Sequence, residues 1–97
     1  MRWVWDEKKN EANKCKHHLS FETAALVFQD PLAASRRDPE PDEERWQTVG
    51  TIGWIGHVVV FVVHTAPEGP PGAEVGRIIS ARKATAHERK AYEEDGF

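Results

Sequence analysis

The chain has 97 residues, of which 39% are hydrophobic and 30% charged, and a formal charge of −3. This suits one soluble globular domain with a single core, and it is too apolar for a disordered segment. The acidic balance weighs against a nucleic-acid partner, and Val58 to Val63, the longest apolar run, is too short to span a bilayer.

The first residues, "MRWVWDEKKN", lack the apolar stretch of a signal peptide, so a cytoplasmic protein with no membrane partner is expected. Cys15 is the single cysteine, which excludes an intrachain disulfide and CxxC zinc sites; it is expected to be a small buried hydrophobe.

Trp3-Val4-Trp5 predicts a short strand. Asp6 is placed to cap a helix running to about Lys16, with Glu7 in the first turn, although only Ala12 and Cys15 offer it an apolar face. Ser20 caps a second helix, whose Phe21, Ala24, Ala25 and Phe28 recur at helical spacing until Asp30-Pro31 stops it. Leu32 to Arg36 is a weak strand. The acidic block Asp38, Glu40, Asp42, Glu43 and Glu44 follows, interrupted by prolines.

Arg45 to Thr51 alternates as a half-buried strand does. In "GHVVVFVVHT" apolar residues occupy both parities, which predicts a central strand covered on both faces. "APEGPPGAE" is a loop, Val75 to Lys83 the last strand, and Thr85-Ala86-His87-Glu88 a capping box opening a helix through about Glu94, closed by Gly96. The fold class is α+β: a small twisted antiparallel sheet of four to five strands packed by two N-terminal helices and a C-terminal helix, with the helices on one face, in one domain spanning residues 1–97.

Positive charge is concentrated locally. Arg77, Arg82, Lys83, Arg89 and Lys90 face only Glu88 in their stretch, and Lys14, Lys16, His17 and His18 form a second group. A guanidinium fork matches phosphate oxygens, so an arginine on the last strand is a candidate phosphate clamp; the plainer alternative is a strand-end cation that satisfies the acidic block. Strict alternation puts Ser80 and Arg82 on one face and Arg77 and Lys83 on the other, unless a bulge shifts the parity. His17 suits acid–base work or, equally, a helix C-terminal cap. Trp46 and Trp54 could stack on bases, though tryptophans are more often core. No metal-binding histidine pattern, glycine-rich phosphate loop or nucleophile elbow is visible, so no metal or cofactor is expected.

The segments "WDEKKNEANKCKHHLSFETAALVFQDP", "ERWQTVG", "VVVFVVHT" and "RIISARKATAHERKAYEE", in this order, resemble the BrnT family of type II toxin–antitoxin systems. The resemblance implies a RelE-like fold and metal-independent cleavage of RNA that inhibits translation. It also implies neutralisation by a BrnA-type antitoxin, in a hetero-oligomer that binds operator DNA through the antitoxin.

Carried over by position, the resemblance marks Lys16, His17, Ser20, Phe21 and Glu22, then Arg45, then Ile79, Ser80 and Arg82, then Thr85, Glu88 and Arg89. The implied catalytic residues are Arg82, Arg45, His17 and Lys16, with Arg77, Ser80, Lys83 and Trp46 binding substrate, and His64 and Glu88 in reserve. His18 stands where the family commonly has glycine, which makes a left-handed turn there costlier. The rivals are a non-catalytic interaction module, a weakened toxin acting mainly through its antitoxin complex in operon autoregulation, and a DNA-binding regulator.

Overall fold

The computed structural model describes residues 1–53 and 58–97. Trp54, and the Gly56-His57 start of the expected central strand, lie outside the described residues. The elements are β1 (Arg2–Val4), α1 (Glu7–His17), α2 (Phe21–Ala24) running into a 3-10 turn (Ala25–Gln29), β2 (Ala34–Arg37), β3 (Trp46–Ile52), β4 (Val58–His64), β5 (Val75–Lys83) and α3 (Ala86–Glu93). The five strands form one sheet in the order β1-β5-β4-β3-β2. Three pairings are antiparallel, as expected, while β1 joins β5 in parallel, so the sheet is mixed.

The central β4 is buried on both faces. On the first face Val60 and Val62 join Ile78 and Ala81 of β5 beneath Leu19, Phe21, Ala24 and Val27 from the N-terminal helices. On the second, Val49, Val59 and Phe61 pack against Ala84, Tyr92 and Phe97. The helices therefore do not share one face. An apolar stripe on each side of β4 needs cover on each side, and α3 supplies the second.

The local signals act as their chemistry dictates. Asp6 accepts from the Lys8 and Lys9 amides, Ser20 from Thr23, and Thr85 and Glu88 form a reciprocal capping box. Gly96 donates to the Ala91 carbonyl at 2.7 Å, and Asp95 before it takes the left-handed conformation at φ 56°. His18 closes α1 at φ 55°. Gly76 pairs with Trp3, whose ring would clash with a Cβ there. The bare backbone lets that indole lie against β5 and stack on Phe28 at 3.8 Å.

Helix α1 is held by amides rather than by an apolar face. Asn10 and Asn13 are its buried residues, while Cys15 is exposed, contrary to the expectation of a buried hydrophobe. β1 covers only the first part of β5, at Val75, Gly76 and Arg77. Beyond it, the Asn13 carboxamide acts as a surrogate strand, donating to the Ala81 carbonyl at 2.8 Å and accepting from its amide at 3.3 Å. Asn13 also donates to the Leu19 carbonyl, and Asn10 accepts from the Phe21 amide and donates to Glu22.

Asn13→Ala strands buried backbone groups, so it is expected to cost about 2–3 kcal/mol in urea unfolding. In the same measurement His18→Gly is expected to stabilise by about 0.5–1 kcal/mol, since glycine adopts the left-handed cap without strain.

Candidate functional site

One irregularity decides which cations share a face. Val63 pairs with Ser80 but His64 pairs with Ile78, so Ile79 is an extra residue in β5. The bulge shifts the parity. Ile78 and Ala81, three apart, both enter the first core. Arg77, Ser80 and Arg82 consequently lie on the second face. The expectation that Arg77 opposes Arg82 is corrected by this bulge, whereas Lys83, paired with Val60, does lie opposite Arg82. Trp46 pairs with His64 on the first face, away from the arginines, with its indole N–H buried and without a hydrogen-bond partner among the described residues.

Arg82 is heavily engaged. Its guanidinium lies over the Phe61 ring at 4.1 Å and donates to both Glu88 carboxylate oxygens, at 2.7 and 2.9 Å. Those hydrogen bonds raise the Arg82 pKa and hold the Glu88 carboxyl below its usual range. Because Glu88 also caps α3, Arg82 ties the first turn of that helix to the sheet. Beyond it, Phe61 meets Phe97 edge-on, and Arg36 stacks over Phe97 at 4.1 Å. Arg36, which donates to Gln47, was not singled out as a site residue in the sequence, where it stands only as the end of the weak strand Leu32 to Arg36.

Arg77 and Arg45 meet at Glu43. Arg77 Nη2 donates to the two Glu43 oxygens at 2.8 and 3.0 Å, and Arg45 Nε donates to Oε1 at 3.4 Å. Arg77 thus has the acid-block partner that the plainer reading supposed. The Arg77 guanidinium holds the Glu43 carboxyl below the ordinary glutamate range. Lys16 is exposed and His17 half-buried at the end of α1, one turn past Asn13, across the edge of β5 from Arg82. Neither side chain makes a hydrogen bond or ion pair among the described residues.

Two further polar groups are structural. His64 is buried; its Nδ1 donates to the Thr65 carbonyl at 2.8 Å, which leaves Nε2 to accept from Thr48 Oγ1 at 2.6 Å. Burial lowers its pKa, opposed by the Thr65 hydrogen bond. Asp30 accepts from the Thr51 amide and hydroxyl and from Tyr92 at 2.6 Å, tying α3 to β3. Burial pushes the Asp30 carboxyl up, but these hydrogen bonds outweigh it and leave its pKa lowered. Asp30, read in the sequence only as a helix stop, lines a cleft of about 610 Å³ with Leu32, Val59 and Arg89. That cleft does not include the Arg45–Arg77 pair. Among the described residues no three His, Cys, Asp or Glu side chains are grouped to hold a metal ion, and no helix is long and apolar enough to cross a membrane.

Residues 5–88 match the family model described as the ribonuclease toxin, BrnT, of type II toxin–antitoxin systems. The chain belongs to the BrnT family. That membership carries a ribonuclease toxin's activity class, an antitoxin partner and an RNA substrate. A search of curated proteins finds no match to this chain.

In the unfolded chain His64 takes a proton near pH 6.5, and in the folded BrnT domain only at lower pH. Its contribution to stability is therefore full above about pH 6.5 and is lost as pH falls through the folded pKa. Urea midpoints are expected to decline below about pH 6.5, less steeply in a His64→Gln variant. A histidine NMR titration is expected to show the His64 imidazole taking its proton only below about pH 6.5.

Proposed function

We propose that this BrnT-family chain is a metal-independent endoribonuclease that cleaves RNA by attack of the 2′-OH on the adjacent phosphorus, inhibits translation, and is neutralised by a BrnA-type antitoxin. The observation that carries this reading is the second sheet face, where the bulge puts Arg77 and Arg82 on one side of the sheet and Arg45 meets Arg77 at Glu43, on a chain whose family acts on RNA. In the reaction the 2′-O–P bond forms and the P–O5′ bond breaks. A base takes the 2′-OH proton and an acid gives one to the leaving 5′-oxygen. The products are a 2′,3′-cyclic phosphate and a 5′-hydroxyl.

Arg82 stabilises the charge that develops on the phosphoryl oxygens, and Arg45, the other expected catalytic arginine, assists from the neighbouring phosphate beside Arg77. Lys16 or His17, from across the β5 edge, serves proton transfer or contacts phosphate. Arg77 and Ser80 bind the strand to either side, and Lys83 and Trp46 serve only a strand that wraps around the edge of the sheet. The antitoxin complex binds operator DNA through the antitoxin and regulates its own operon.

A specific observation favours a second reading, that of a weakened toxin or interaction module. Arg45, Arg77 and Arg82 are all paired with glutamates of the same chain.

The test is incubation of the purified, antitoxin-free chain with RNA in EDTA. Cleavage with cyclic-phosphate ends is expected. Arg82→Lys, checked for native circular dichroism, is expected to lower kcat by about 100-fold or more, and Arg45→Gln, checked in the same way, to raise KM with a smaller loss of kcat. No cleavage by the folded chain would favour the module, and full activity of a folded Arg82→Lys variant would remove Arg82 from the chemistry.

A further inference from the structure

Two guanidinium groups from distant parts of the sequence converge on one oxygen. Arg77 comes from β5 and Arg45 from the residue before β3, and both reach Oε1 of Glu43, at 2.8 and 3.4 Å. Two planar cations aimed at one acceptor form a geometry suited to a phosphate, which offers the same charge and oxygen spacing as a carboxylate with more acceptors. Glu43 belongs to the acidic segment 38–44, and this segment makes other contacts of the same kind. Asp38 accepts from Gln47, which itself accepts from Arg36, and Arg45 and Arg36 add to its electrostatic stabilisation. The block that makes the chain acidic thus lies along the arginines of the second face.

We infer that Arg45 and Arg77 form a backbone-phosphate subsite for single-stranded RNA, and that the Glu43 carboxylate occupies it in the free protein as an internal competitor. The inference rests on the ribonuclease reading for the identity of the polyanion. The subsite is partly open: the Arg77 and Glu43 side chains are 48% and 39% exposed, so the pair is weak enough for a phosphate to displace. It lies on the same face as Arg82, toward the start of β5, and so holds the strand at a distance from the proposed reacting phosphate. Glu43 then lowers affinity for any polyanion that does not also engage the rest of the face.

The test uses a fluorescent single-stranded 2′-O-methyl RNA, which lacks the attacking hydroxyl and so reports binding apart from cleavage. Fluorescence anisotropy at about 50 mM salt compares the wild type, Glu43→Gln, Glu44→Gln and the double variant Glu43→Gln/Arg77→Gln. Glu44 is exposed in the same segment and has no arginine partner among the described residues, so it controls for net charge. Glu43→Gln is expected to tighten binding by about two- to fivefold, the range that exposed ion pairs support. It is also expected to steepen the salt slope by about one, as one more cation becomes free to release counterions. Glu44→Gln is expected to do less, and the double variant to lose the gain.

Equal tightening by Glu43→Gln and Glu44→Gln, a gain that survives Arg77→Gln, or no binding by either wild type or Glu43→Gln would overturn the subsite. Cleavage of unmodified RNA is scored separately. Cleavage without the Glu43 effect sinks the subsite and leaves the ribonuclease standing. The Glu43 effect without cleavage does the reverse.

Discussion

The single extra residue in β5 organises both sides of the sheet. In a regular strand Ile78 and Ala81 would point to opposite faces, and so would Arg77 and Arg82. With Ile79 inserted, the two apolar residues share the core beneath α1 and α2, and the two arginines share the face covered by α3. The core supplies the driving force. Ile78 and Ala81 are each only 1% exposed, and returning either to the regular register would put it on the polar face. The gathering of the arginines follows from where the hydrophobes must go.

The other edge of that strand explains an otherwise puzzling helix. β1 is too short to cover β5, and an uncovered strand in the interior would leave amide and carbonyl groups without partners. Asn13 meets that requirement from α1, and Asn10 one turn earlier fixes the start of α2. A helix with this task needs carboxamides on its inner face, so its lack of an apolar stripe is what the location demands. The same contact puts the end of α1, with Lys16 and His17, beside the edge of β5.

Charge on the second face is balanced within the chain. Arg82 is matched by Glu88, and Arg77 and Arg45 by Glu43. These matches differ in kind. Glu88 is a helix cap with its side chain 12% exposed and is part of how α3 docks, whereas Glu43 sits in a proline-bordered loop, more open to solvent. An incoming phosphate can compete with the second far more readily than with the first. This is how a chain with a net charge of −3 carries a cationic face without exposing all of it.

The sequence by itself held the order of the elements and the start of each helix. The second helix, expected through Phe28, turns 3-10 after Ala24, and the weak strand expected over Leu32 to Arg36 forms over Ala34–Arg37. Local chemistry acts over a few residues, so the caps at Asp6, Ser20 and Thr85, the stop at Asp30-Pro31 and the two-faced burial of β4 were all legible. The ordered segments from Trp5 to Glu88 also carried the family. Tertiary structure alone decided the parallel seat of β1, the placement of α3 opposite the other helices, the exposure of Cys15 and the partners of each arginine. Each of these depends on which backbone groups and apolar surfaces remain uncovered once the sheet has closed, a sum over the whole chain. Alternation along β5 assigned Arg82 and Lys83 to opposite faces correctly and misplaced Arg77, because a bulge leaves no mark in composition or spacing and exists only as a register between two paired strands.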